Sequence, residues 1–405
     1  MAVGSIWSSE VHDVAGVKLS AVKSGIRYPD RLDLVLIELA EDTNVAGVFT
    51  QNTFCAAPVF VAKSHLLNGN PRFFIINTGN ANAGTGDSGK EHALNCCQAV
   101  AKIGEISARQ VIPFSTGVIG EALPVDKIMA ALPNAFSALD ESNWSDASLG
   151  ILTTDTRPKL VSKRVCLGKK WVVITGMAKG AGMIKPNMAT MLSYVFTDAT
   201  IEKELLNRFL HKVVNKSFNR ITVDGDTSTN DAAVLAATGN SGLSISRLNK
   251  EDQAKFYRTL ESVFQQLAIE LIKDAEGATK FITIYVDEGR SENECLQIAY
   301  CVAESPLVKT AFFASDPNWG RILAAVGRAK IKDLDLSVIA ISIGGVPIVS
   351  NGKVTESYTE KIGQSLMRKE EIVISINLGR GSCSEIIWTS DLSHEYIRIN
   401  AEYRT

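Results

Sequence analysis

A chain of 405 residues with 45% hydrophobic and 21% charged side chains can bury a large core, which excludes a predominantly disordered protein. Its 42 Lys and Arg stand against 44 Asp and Glu, a formal charge of −2 with no basic block to follow a phosphate backbone, so nucleic acid is excluded as an expected partner. The seven cysteines form no CxxC pair, the five histidines form no HExxH or His/Cys cluster for zinc, and the N-terminus lacks the basic segment and long apolar core of a secretion signal.

Reduced thiols and a cytoplasmic setting with no membrane contact are therefore expected. The most apolar later stretch, residues 336–349, is broken by Ser, Gly and Pro and is too short to span a bilayer. In chain order, apolar runs of strand length alternate with helical patterns. Leu34 to Leu39, Phe73 to Ile76 and Trp171 to Thr175 read as strands, and Lys90 to Ile103 as a helix. Ile201, Leu205, Phe209 and Val213 mark one helical face. Phe256, Leu260, Val263, Phe264, Leu267 and Leu271 mark a longer helix, with Gly277 in the position of a C-capping glycine. Strand-like Phe281 to Val286, Val338 to Ile343, Ile372 to Leu378, Glu385 to Trp388 and Tyr396 to Ile399 make the C-terminal half richer in sheet. The expected architecture is a layered α/β sandwich with mixed sheets.

Two motifs imitate known sites and fail on spacing. Gly84-x-Gly86-x-x-Gly89 stands between a strand and a helix like a dinucleotide fingerprint, but its first glycine lies seven residues past Asn77 and no acid follows about twenty residues on. Asp224-x-Asp226-x-Ser228 starts like a calcium loop, yet Thr229 occupies the glycine position and Leu235 the final glutamate position.

The stretch KGAGMIKPNMATML, Lys179 to Leu192, carries more chemistry. A Gly180-Ala181-Gly182 segment, a rigid Pro186 and the small Ala189 lead into Thr190, which opens the apolar run MLSYVF. If the Thr190 hydroxyl attacks the Ala189 carbonyl, the peptide becomes an ester, and water then frees Thr190 with an α-amine beside its Oγ. Such an amine has a reference pKa of roughly 7.7 to 8.0 and can serve as the threonine's own base. The competing reading is that Thr190 begins a buried strand after a glycine turn.

Acyl transfer through that hydroxyl needs donors for the oxyanion, and Ser115-Thr116-Gly117 offers a hydroxyl and a glycine N–H, although a plain turn fits equally. Lys179 suits the α-carboxylate of an amino acid, against the usual fate of lysine as an exposed surface charge. Glu276, placed at the foot of the long helix, opposes the helix dipole there, and a solvated helix-end glutamate is the alternative.

The cleavage string resembles the self-cleavage site of the ornithine acetyltransferases, the glutamate N-acetyltransferase family of arginine biosynthesis. The resemblance extends through GVFTQNTFCAAPV, INTGNANAGTG, STGVIGEALP, NRITVDGDTSTND, DPNWGRILAA and the terminal NAEYRT. It implies an N-terminal-nucleophile-like fold cut between Ala189 and Thr190 into an alpha chain, residues 1–189, and a beta chain, residues 190–405, of one body. It implies Thr190 as nucleophile, Thr116 and Gly117 as the oxyanion hole, and Thr153, Lys179, Thr190, Glu276, Asn400 and Thr405 as substrate contacts. The implied reaction moves acetyl from N2-acetyl-L-ornithine to L-glutamate by a ping-pong cycle. No cofactor and no metal is implied, two copies of each chain are expected to associate, and use of acetyl-CoA as a second donor is left open. A hydrolase of the same self-cleaving design, an amidase or aminopeptidase, is the alternative.

Overall fold

The computed structural model describes residues 2–5, 10–185 and 191–402. It divides into two compact units, one formed by residues 6–219 and 227–271, the other by residues 1–5, 220–226 and 272–405.

The larger unit is built from two sheets. Strands Val17–Val22, Leu34–Leu39, Phe73–Asn80 and Val111–Val118 form the first in that order, antiparallel except for the parallel last pair. Asn44–Phe49, Ala232–Ala237, Leu192–Thr197, Lys170–Lys179 and Lys159–Leu167 form the second, with one parallel pair, Ala232–Ala237 on Leu192–Thr197. Strands rich in Val, Ile and Phe present side chains to both faces, so each sheet is covered twice. Between the sheets a continuous apolar layer joins Leu19, Ile37, Phe74 and Phe114 of the first to Phe49, Met177, Tyr194 and Phe196 of the second. The first sheet's other face is closed by helices Gly86–Ile103 and Val125–Ser137 through Ala93, Cys97, Val100, Ile128 and Leu132. Helix Lys203–Asn215 packs on strands Asn44–Phe49 and Ala232–Ala237 of the second sheet, and the long helix Lys250–Lys273 meets the same sheet through Leu267 beside Gly176 and Ser262 beside Lys163. The order helix, sheet, sheet, helix is the expected layered sandwich with mixed sheets.

The smaller unit is a seven-stranded mixed sheet in the order Lys353–Val354, Val346–Ser350, Ala340–Ile343, Glu371–Asn377, Phe281–Gly289, Cys383–Ser390 and Ile221–Thr222. Helix Glu292–Ala303 packs on it, and helix Trp319–Arg328 packs on that helix. Among the described residues, no helix is long and apolar enough to cross a membrane.

Three expectations are corrected. Tyr396 to Ile399 is helical, inside His394–Ala401, because Ser393 caps the helix by accepting from the Tyr396 N–H and Glu395 pairs with Arg398 one turn on. The buried face of Lys203–Asn215 is Leu206, Leu210, Val213 and Val214, since the helix starts after Ile201 and its phase shifts by one residue. Phe209 is half-buried against Phe256 and Tyr257. Gly277 is no C-cap: the long helix ends at Lys273, and Gly277, at φ +67°, occupies the third position of a turn closed by the Ala278 N–H on the Ala275 carbonyl. Glu276 therefore sits in a turn, and the argument from an opposed helix dipole falls away.

Candidate active site

Thr190 and Ala189, the expected cut, and Thr405 lie outside the described residues. The residues on either side, up to 185 and from 191, are described. Strand Leu192–Thr197 is held between Lys170–Lys179 and Ala232–Ala237, with Leu192 opposite Lys179 on one side and opposite Ala232 on the other.

Three of the remaining expected residues gather at that strand end. Lys179 closes its strand with only 8% of its surface exposed, and its Nζ donates to Thr116 Oγ1 at 3.1 Å. A charged donor on the hydroxyl oxygen polarises the Thr116 O–H and strengthens it as a donor in turn. The neighbouring Gly117 has φ +135°, and a Cβ built there would stand 2.3 Å from the Gly79 carbonyl carbon and 2.5 Å from the Asn80 nitrogen. Only glycine fits so close a passage. Gly117→Ala is expected to leave the chain uncut or unfolded, read by the banding on a denaturing gel together with circular dichroism; a cut and stable alanine variant would show that the passage tolerates a side chain.

Amide side chains fix this segment. Asn77 Nδ2 donates to the Asn80 carbonyl at 2.9 Å, the Ser115 hydroxyl donates to Asn77 Oδ1 at 2.5 Å, and Asn230 Nδ2 donates to the Ser115 carbonyl at 2.9 Å and the Ala81 carbonyl at 2.6 Å. The strings INTGNAN and TSTND thus frame the backbone around Thr116, so that buried polar groups find partners.

Thr153 follows helix Trp144–Gly150, and Arg31 donates to the Leu152 and Thr153 carbonyls at 2.7 and 2.8 Å. Asp155 ties this loop to the cleavage string. Its Oδ2 accepts from the Thr153 N–H at 3.0 Å, and its Oδ1 accepts from the Gly180 N–H at 2.7 Å and from Lys159 Nζ at 2.5 Å. The Asp155 and Lys159 side chains are both fully buried. Burial alone would raise the Asp155 carboxyl, but Lys159, Lys179 and these hydrogen bonds outweigh it and hold it well below the usual carboxylate range.

The smaller unit holds Glu276 and Asn400, expected from distant parts of the chain and adjacent in space. Asn400 Nδ2 donates to Glu276 Oε2 at 2.8 Å and to the Tyr396 carbonyl at 3.0 Å, and the Tyr396 hydroxyl donates to Asp224 Oδ2 at 3.1 Å. The turn carrying Glu276 is anchored by the Ser393 hydroxyl on the Gly277 carbonyl at 2.6 Å. Burial and the Asp224 carboxylate push the Tyr396 phenol above its usual range.

Sequence reasoning missed Asp155, Lys159, Asn230 and Asp231. A signal existed for one of them: Asp231 directly precedes the wholly apolar AAVLAA. Lys159 and Asn230 carry no local mark of burial. No group of three or more His, Cys, Asp or Glu arranged to hold a metal occurs among the described residues.

Two mixed sheets stacked between helices, with a buried lysine, a hydroxyl and a glycine gathered at one strand end, define a layered α/β protein. The ArgJ family model matches residues 18–405. A protein of Pseudomonas fluorescens (strain Pf0-1) named arginine biosynthesis bifunctional protein ArgJ is 52% identical over 406 residues, covering the whole of both chains. One of the same name from Methylococcus capsulatus is 53% identical over 97% of this chain and 96% of its own. The crystal structure of arginine biosynthesis bifunctional protein ArgJ from Bacillus halodurans is 36% identical, covering 50% of this chain and 95% of that one, with a TM-score of 0.47. The chain belongs to the ArgJ family.

Proposed function

We propose that this protein is a glutamate N-acetyltransferase of arginine biosynthesis that moves acetyl from N2-acetyl-L-ornithine to L-glutamate, giving ornithine and N-acetyl-L-glutamate. The observation that carries the reading is the match to relatives of that pathway over the full length of the chain. The buried Lys179 and Thr116 pair supports it, because a substrate with an α-carboxylate and a reacting carbonyl needs a fixed cation and an oxyanion donor close together.

Self-cleavage at Ala189-Thr190 yields residues 1–189 and 190–405, which stay together because each buries part of a shared core. The Thr190 Oγ then bonds to the acetyl carbon, its proton passes through the α-amine to the departing ornithine nitrogen, and an acetyl-threonine ester remains. The glutamate amine attacks that ester, and the returning proton restores the hydroxyl. Thr116 and the Gly117 N–H hold the oxyanion, Lys179 holds the α-carboxylate, and Thr153, Glu276, Asn400 and Thr405 are the further substrate contacts. The cycle uses only groups of the chain, acetyl-CoA serves as a second donor, two copies of each chain assemble, and the enzyme works in the cytoplasm.

The test is ornithine release from N2-acetylornithine with and without glutamate. Release that requires glutamate is expected; equal release without it would make the protein a hydrolase. Replacing glutamate acceptance assays with acetyl-CoA and glutamate alone tests the second donor. In cut protein, Lys179→Met is expected to raise KM for N2-acetylornithine roughly 10- to 100-fold, the equivalent of one charged hydrogen bond, with a smaller change in kcat. An unchanged KM would remove Lys179 from the carboxylate site.

A further inference from the structure

We propose that Tyr396 is a positioning residue for substrate binding, one that fixes Asn400 on Glu276; this rests on the reading of Glu276 and Asn400 as substrate contacts given above. Helix His394–Ala401 has eight residues, too few to be stable alone, and none of its side chains is buried. Apolar packing therefore contributes little to docking it, and polar ties set its place.

Two of those ties go to the turn that carries Glu276. At the start of the helix the Ser393 hydroxyl donates to the Gly277 carbonyl at 2.6 Å and its oxygen accepts from the Tyr396 N–H at 3.4 Å. Gly277 lies so close that a Cβ there would stand 2.4 Å from the Tyr396 nitrogen. At the far end Asn400 Nδ2 donates to Glu276 Oε2 at 2.8 Å. The His394 ring adds an edge contact with Phe313, 5.5 Å between centroids.

Tyr396 supplies the tie that points elsewhere. Its phenol donates to Asp224 Oδ2 at 3.1 Å, on the segment 220–226, while its carbonyl accepts the second Asn400 N–H at 3.0 Å. Asp224 stands within electrostatic reach of the buried Lys309, whose Nζ is itself fixed on Thr389 Oγ1 at 3.0 Å and on the Ser390 carbonyl. Without the phenol bond, the helix keeps its ties to one turn and can roll about them. Asn400 would then leave Glu276.

The orientation of the Asn400 amide follows from its partners. A carbonyl and a carboxylate both accept, so the nitrogen and not the oxygen must face them, and both of its hydrogens are spent. Among the described residues, no donor reaches Asn400 Oδ1 or Glu276 Oε1. The pair held by Tyr396 thus offers a ligand acceptor oxygens, which suit an ammonium group, and N2-acetylornithine carries one at the end of its side chain.

The test is a double-variant cycle of wild type, Tyr396→Phe, Asn400→Ala and the combined change. It is read as KM and kcat for N2-acetylornithine at saturating glutamate, and as hydrogen exchange of the amides of residues 394–401. Tyr396→Phe keeps the ring and removes one hydrogen bond, so KM is expected to rise about 3- to 10-fold while kcat stays within about twofold and the unfolding midpoint is unchanged. In the Asn400→Ala background the same change should move KM less than about twofold, because Tyr396 acts through Asn400. Exchange over the helix should be faster in Tyr396→Phe than in wild type. A wild-type KM for Tyr396→Phe, or equal increases in both backgrounds, overturns the proposal. Unchanged exchange also overturns it, and that readout needs no substrate: if the wild type leaves N2-acetylornithine untouched, the proposed function fails while exchange still decides whether Tyr396 holds the helix.

Discussion

Thr190→Ala is expected to yield one intact chain of 43.7 kDa on a denaturing gel, where the wild type yields two, and to lose acetyl transfer by roughly 10⁴- to 10⁶-fold. The size of the effect follows from a single atom having two uses. Without Oγ nothing attacks the Ala189 carbonyl, so the chain is not cut and the α-amine remains locked in a peptide. Even if the amine were released by other means, no oxygen would be left to accept the acetyl group. Thr190→Ser separates the two possibilities for the residue: a serine hydroxyl keeps the chemistry, so slow cutting and residual transfer are expected from it, whereas a strand-starting threonine valued only for packing would tolerate alanine. Edman sequencing of the alanine variant that recovered a second series opening at residue 190 would end the account.

The second large effect is expected at Asp155. Replacement by Asn should destabilise the protein by about 3–5 kcal/mol, the cost of leaving a buried charge without its partner, measured by denaturant unfolding. Lys159 would keep its charge in a site with no surface exposure, and the Thr153 loop would lose its tie to Gly180. The double change Asp155→Asn with Lys159→Met removes the stranded charge and should recover most of the stability without restoring the affinity for substrate. Equal stability of the single and double variants would show that the pair carries no such penalty.

The same carboxyl sets a pH dependence with a definite sign. Its folded pKa lies below the value of roughly 3.9 in an unfolded chain, so the stability it contributes is complete above that value and is lost as pH falls toward the folded one. Wild type should therefore lose stability on acidification below about pH 4 more steeply than Asp155→Asn. Parallel acid unfolding of the two would contradict the assignment.

How much of this was legible can be argued from particular segments. Leu34 to Leu39 is a strand with the expected bounds, and all six apolar residues assigned to the long helix, Phe256 through Leu271, are fully buried, because a long run of matched periodicity outweighs local accidents. Tyr396 to Ile399 failed for the opposite reason. Four residues cannot distinguish a period of two from one of 3.6, and the capping bond from Ser393 settles the conformation. The phase of Lys203–Asn215 was missed by one residue because Ile201 is buried without being part of the helix.

The sequence by itself determined the layered α/β class, the family, and a short roll of chemistry-bearing residues. It could do so because periodicity and long ordered strings are local properties of the chain. Only the tertiary structure decided which residues meet: Lys179 with Thr116, Asp155 with both Thr153 and Gly180, Glu276 with Asn400, and Asn230 with the Ser115 and Ala81 carbonyls. Apart from the short tie between Asp155 and Thr153, those meetings join positions tens of residues or more apart, and they depend on sheet register and on the depth at which a charge is buried. Neither register nor depth leaves a mark in the neighbouring letters, since a carboxylate reads the same whether water or a lysine surrounds it.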